Sequence, residues 1–215
     1  MLFLNSFVLV LLFTVLGYSQ IRIGGTIGLS KANMVFDIPD SSYTSDTKKG
    51  YTFGALIQYP LTSAVNLRSG VNFTQKGLKD SEGFYSGTKE TRVNSSYLTL
   101  PLLAQYRFDP ALNSAYAIGG MEIGILLNAE SIKIISGLPI DVGFISNGTT
   151  TINIKDSLSV VGITWNIGGG YEMEIGNRKM FAELQFTFGL NDIDDVDEKI
   201  VVKSRGIIIG IGYIY

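Results

Sequence analysis

Period-two alternation recurs along this chain in segments of about ten residues, each setting an apolar row against a row of glycines, hydroxyls and a few charges. Successive side chains of an extended strand point to opposite faces, so every such segment has one oily side and one polar side. Eight segments carry the pattern: 21–33, 51–59, 65–76, 96–108, 115–126, 160–171, 180–189 and 206–215. The last shows it plainly, with Ile207, Ile209, Ile211, Tyr213 and Tyr215 on one side and Gly206, Gly210 and Gly212 on the other. A chain built this way, with almost no helical periodicity, has eight apolar rows to remove from water at once.

The connections between segments alternate long and short: 34–50, then 60–64; 77–94, then 109–114; 127–159, then 172–179; and 190–205 last. That rhythm predicts an all-β, eight-stranded antiparallel up-and-down transmembrane β-barrel, with short turns on one rim and long loops on the other. Ten residues rising about 3.3 Å each and tilted near 45° cover roughly 23 Å, close to the roughly 25 Å apolar band of an outer-membrane barrel. Tyr51, Tyr59, Tyr106, Phe108, Tyr171, Phe188, Tyr213 and Tyr215 fall near strand ends, where interfacial aromatic girdles belong. Aromatics also favour any β-strand, so the girdle is supporting evidence only.

Alternation leaves open which face is wet. The polar rows hold Arg68, Glu122 and Glu183 in mid-strand, with Arg22, Arg107 and Glu172 nearer strand ends, among many glycines. A soluble barrel's outer face would be rich in Lys, Glu and Asp and poor in glycine. The expectation is therefore a structural charge network inside an eight-stranded lumen, which is just wide enough for side chains to fill. The alternatives are a small pore and an exported soluble lipocalin-like carrier.

Residues 7–16 form an apolar run broken only by Thr14, followed by the small-x-small sequence Gly17, Tyr18, Ser19. Residues 1–19 are expected to be a cleaved signal peptide and 20–215 a single outer-membrane barrel domain. Residues 1–6 lack Lys and Arg, and a helical anchor is the alternative, although the run falls short of the roughly 20 residues a spanning helix needs. The 17 basic and 19 acidic residues nearly cancel, so no nucleic-acid partner is expected. With neither Cys nor His, the chain has no disulfide framework, no thiolate nucleophile, no Ser-His-Asp triad and no ordinary zinc or copper site. The expectation is no catalysis, no cofactor and no dedicated metal site. Asp192, Asp194, Asp195 and Asp197, with Glu198, are the weak Ca²⁺ alternative, in a loop lacking the glycine an EF-hand requires.

Segment 96–108, Ser-Tyr-Leu-Thr-Leu-Pro-Leu-Leu-Ala-Gln-Tyr-Arg-Phe, resembles the "YLEIPLLLKY" strand of the PorT-like outer-membrane β-barrel family of Bacteroidetes. The opening Ile-Gly-Gly-Thr-Ile-Gly-Leu-Ser-Lys-Ala-Asn of 23–33 is similar to that family's first strand. Thr99 stands where the family often has Glu, so no role passes to that position. The resemblance implies an eight-stranded barrel in the outer membrane of a Gram-negative cell. It also implies, for some members, a link to a secretion apparatus. Lipid is then the constant partner, an envelope or secretion protein a further one, and the oligomeric state is left open. The segment 127–159 exceeds what closure demands and contains β-prone pieces. It is expected to form a hairpin extending the fifth and sixth strands, with Ile132, Ile134, Ile135, Ile152 and Ile154 as partner-binding residues.

Overall fold

The computed structural model describes residues 21–38, 41–84, 87–109, 113–136, 148–192 and 201–215. Its strands are β1 (Arg22–Ile38), β2 (Ser41–Thr44), β3 (Asp46–Pro60), β4 (Val65–Phe84), β5 (Gly87–Arg107), β6 (Ser114–Ser136), β7 (Gly148–Asn153), β8 (Val161–Ile175), β9 (Arg178–Gly189) and β10 (Val201–Ile214). A 3-10 turn at Lys155–Ser157 lies between β7 and β8. All pairings are antiparallel, and β10 returns to β1 from Gly24↔Ile214 to Asp37↔Val201. Eight strands thereby close into a ring, while β2 and β7 are short additions on β1 and β6. Closure leaves no unpaired edge around the ring, which satisfies the backbone without water.

The two faces separate as the alternation requires. Ile209 is 61% exposed and Leu100 40%, whereas Arg68, Glu122 and Glu183 are 5%, 4% and 8% exposed. The apolar rows therefore look outward and the charged rows fill the interior, which excludes the lipocalin-like arrangement. On the outside, Tyr51, Phe53 and Phe73 stack across β3 and β4, and Tyr106 meets Phe108 edge to face.

Three features depart from the sequence reading. The stretch 77–94, expected as a loop, is a two-stranded ribbon registered through Leu78↔Val93, Asp80↔Thr91 and Glu82↔Lys89. Strands β3 and β10 likewise begin earlier, at Asp46 and Val201. Beyond the apolar belt both faces of a strand meet polar surroundings, so the apolar row that marks a strand disappears while the pairing continues. The stretch 172–179 contracts to a two-residue turn, with Ile175 paired to Arg178. Gly176 takes φ +63° there, the left-handed entry that a primed hairpin turn needs. Finally, the interior is not wholly polar: Leu56, Leu103, Tyr116, Ile118, Phe181 and Ile214 form an apolar layer inside the ring.

Two inward glycines accommodate that layer. A Cβ on Gly212 would lie 2.3 Å from the Phe181 ring, and one on Gly170 would lie 2.6 Å from the Tyr116 ring. The large rings fit because the facing strands carry no side chain there.

Candidate functional site

The lumen groups its charges into three clusters. Arg68 of β4 donates to Glu183 of β9 through both guanidinium nitrogens, at 2.7 Å and 3.4 Å. Glu183 also accepts from the Tyr116 hydroxyl at 2.8 Å and from Gln185 Nε2 at 2.9 Å, and the Arg68 guanidinium lies 4.6 Å from the Phe181 ring centroid. This carboxylate is thus held on both oxygens, the geometry that compensates burial of an ion pair.

Nearer the short-turn rim, Glu172 accepts from Lys179 Nζ at 2.7 Å and from Gln105 Nε2 at 3.3 Å, with Arg107 Nε 3.8 Å away. Gln105 receives in turn a bond from Gln58 at 3.1 Å, so a chain of buried amides crosses β3 and β5. Toward the long-connection rim, Glu122 pairs with Lys76 at 3.4 Å, and Lys76 Nζ stands 5.8 Å from the Tyr97 ring. Arg22 is half-buried at the start of β1 and makes no ion pair with a described residue.

Lys76, Lys179 and Tyr116 are members of these clusters that the sequence reading did not single out. Each was legible in principle. Lys76 continues the inward row Asn72, Thr74; Lys179 lies two residues before inward Phe181, and Tyr116 was on the polar row already. What hid them was the expectation that arginines alone would answer the carboxylates.

Between the clusters the lumen holds a cavity of about 50 Å³ bordered by Arg68, Glu122, Glu183 and Thr52. That volume is room for a few waters, not a conduit. Among the described residues no group of three or more His, Cys, Asp or Glu is placed to hold a metal ion. Asp192 instead accepts the Val202 backbone N–H at 2.9 Å, and Asp194, Asp195, Asp197 and Glu198 lie outside the described residues.

Above the belt, β6 continues to Ser136 and β7 folds back onto it, from Glu130↔Asn153 to Ile135↔Gly148. Ile132, Ile134 and Ile135 are half-buried along β6, and Ile152 is exposed on β7. Ile154 turns the other way and packs, with Leu158, against Tyr97, Leu126 and Ala129 at the barrel mouth. On the neighbouring β4–β5 ribbon, Glu90 is bonded to Arg92 and lies 3.2 Å from Lys79. These cations hold its carboxyl below the usual range, Arg92 first. Lys48 donates to Asn94, and burial, with Arg92 nearby, lowers its ammonium pKa.

An antiparallel ring with an apolar exterior and a filled, ion-paired interior defines a membrane-spanning barrel of the outer-membrane type. The family profile described as outer membrane protein beta-barrel domain matches residues 16–195, and the chain belongs to that family. The match stops short of β10, the strand that closes the ring. Membership places the protein in the outer membrane, in contact with its lipid.

Similar solved structures include Ail, the attachment invasion locus protein of Yersinia pestis, in complex with the heparin analogue sucrose octasulfate. It is 12% identical, with a TM-score of 0.38, covering 91% of this chain and 99% of that one. Neisserial surface protein A is similar at 12% identity and TM-score 0.38, over 87% of this chain and 95% of that one. OprG from Pseudomonas aeruginosa is similar at 11% identity and TM-score 0.34, over 92% and 97%. No curated protein sequence matches the chain.

Proposed function

We propose that this barrel is a non-enzymatic interaction element of the outer membrane, of the PorT-like type. In this reading residues 1–19 are its cleaved signal peptide and its partner belongs to an envelope or secretion assembly. The long-connection rim faces outward and carries the contact surface. The observation that carries the reading is β7: among the described residues Gly148–Asn153 pairs only with β6, and all six of its residues are exposed. Such an edge offers a row of backbone donors and acceptors to an incoming strand, and it lacks the Lys or Pro that usually blunts one. The closed lumen disfavours a pore, and the absence of His and Cys disfavours hydrolysis.

The test is site-specific photo-crosslinking in the native envelope. A photoreactive residue at Thr150 is expected to yield a discrete protein adduct, while the same residue at lipid-facing Ile209 yields none. The double substitution Thr149→Lys with Thr151→Lys should abolish the adduct without changing membrane insertion. An adduct that survives both lysines, or a Thr150 probe that captures only lipid, overturns the reading.

A further inference from the structure

On three neighbouring strands the outward apolar row ends, at the long-connection rim, on a cation. Lys31 follows Ile27 and Leu29 on β1, Lys49 follows Phe53 and Tyr51 on β3, and Arg205 follows Ile209 and Ile207 on β10. All three cations are exposed. Because β1 lies between β3 and β10, they form one patch: Lys31 stands directly opposite Lys49, and Arg205, paired with Asn33, is diagonal to Lys31, which is paired with Ile207. On β4 and β5 the residues that follow outward Phe73 and Leu98 are Gln75 and Ser96, so the cations gather on one side of the barrel.

Among the described residues nothing answers this charge. Lys31, Lys49 and Arg205 make no ion pair with a described residue, and the stretches 29–35, 47–53 and 203–209 contain no Asp or Glu. Lys203, half-buried on β10 opposite Val35, adds to the same sign. Like charges directly opposite on paired strands, with Cβ atoms roughly 5 Å apart, destabilise the pairing. An anion seated between them removes that cost. The height of the patch selects the anion. Each cation is the first outward residue past the apolar row of its strand, the level at which acyl chains give way to lipid heads. Lys and Arg stems lie along apolar surface while their charged ends reach phosphate oxygens. A lipid fits this position in a way a soluble anion does not, because its chains continue down the wall formed by Leu29, Tyr51 and Ile207, already the lipid-facing side of the barrel.

We propose that Lys31, Lys49 and Arg205 form a seat for one anionic lipid whose phosphate-bearing head carries two or more negative charges. Three cations so close together favour such a head over a singly charged one. The seat uses neither the β7 edge nor the direction in which the rim faces, and stands or falls without them.

The probe is diphosphorylated lipid A, with dephosphorylated lipid A and phosphatidylcholine as references. Retained lipid is counted by native mass spectrometry on the folded full chain released from nonionic detergent micelles. Diphosphorylated lipid A is expected to saturate at one molecule per chain and to bind more tightly than either reference. The triple substitution Lys31→Gln, Lys49→Gln and Arg205→Gln should weaken it roughly tenfold or more, since each basic residue at a lipid surface adds to the attraction. Heat-modifiable gel mobility should be kept. A control with the same loss of charge elsewhere, Lys89→Gln, Lys133→Gln and Arg178→Gln, should leave binding unchanged. Should the first triple variant fail to insert, Lys31→Glu places an acid opposite Lys49 and is expected to weaken lipid A by a similar factor. The proposal is overturned by equal binding of the dephosphorylated lipid, by equal losses in the two triple variants, or by displacement of lipid A by millimolar inorganic phosphate, which would make the patch a site for free anions.

Discussion

At the scale of single residues, the lumen depends on the Arg68–Glu183 pair, whose side chains are 7% and 6% exposed. Replacing Arg68 by Met leaves a buried carboxylate with Tyr116 and Gln185 as its remaining donors among the described residues, and breaking such a pair typically costs about 3–5 kcal/mol. Arg68→Met should therefore lower the urea midpoint of folding into lipid vesicles strongly. The double variant Arg68→Met with Glu183→Leu should recover most of that loss, because two apolar groups need no compensation. Equal losses in the single and double variants would mean that the pair contributes nothing beyond its packing. The identity of this partnership was half legible in sequence. Both residues lie on polar rows in mid-strand, but their sequence separation of 115 residues gives no hint that they meet.

At the scale of the strand, the belt explains why alternation is so clean in β10 and so weak in the ribbon above it. Ile211 is 57% exposed and central to the outward row from Ile207 to Tyr215. Placing Lys at 211 puts a charge near the bilayer midplane, where β-barrels lose about 2–4 kcal/mol. The same lysine at the inter-belt margin should cost at most about 1 kcal/mol. Urea titrations of Ile211→Lys and Ile207→Lys in vesicles are expected to differ accordingly; a reversed order would mean that the belt is centred elsewhere. Boundaries read from sequence stop where this contrast stops. That is why 77–94 reads as loop although it pairs residue by residue, and why the turn at Gly176 reads as a longer connection.

The whole molecule is a closed ring packed shut by its own side chains. The apolar layer from Leu56 to Ile214 and the three ion-paired clusters fill the described interior, and the cavity beside Arg68 and Glu183 is about 50 Å³. Planar-bilayer recordings should accordingly show no stable single-channel conductance, and steady openings would contradict the packing described. Strand number, the division of each strand into an apolar and a polar row, and the alternation of short and long connections were determined by the sequence itself, because an extended backbone fixes side-chain direction at every second residue; the glycines and charges on the polar rows pointed those rows inward. Tertiary structure alone decided which charges meet, that Lys76 and Lys179 join Arg68 and Arg107 as counter-ions, and that rings of Tyr116 and Phe181 fill the gaps left by Gly170 and Gly212. Those choices depend on register and tilt around the closed ring, which bring together residues from strands far apart in sequence, and no local pattern encodes that geometry.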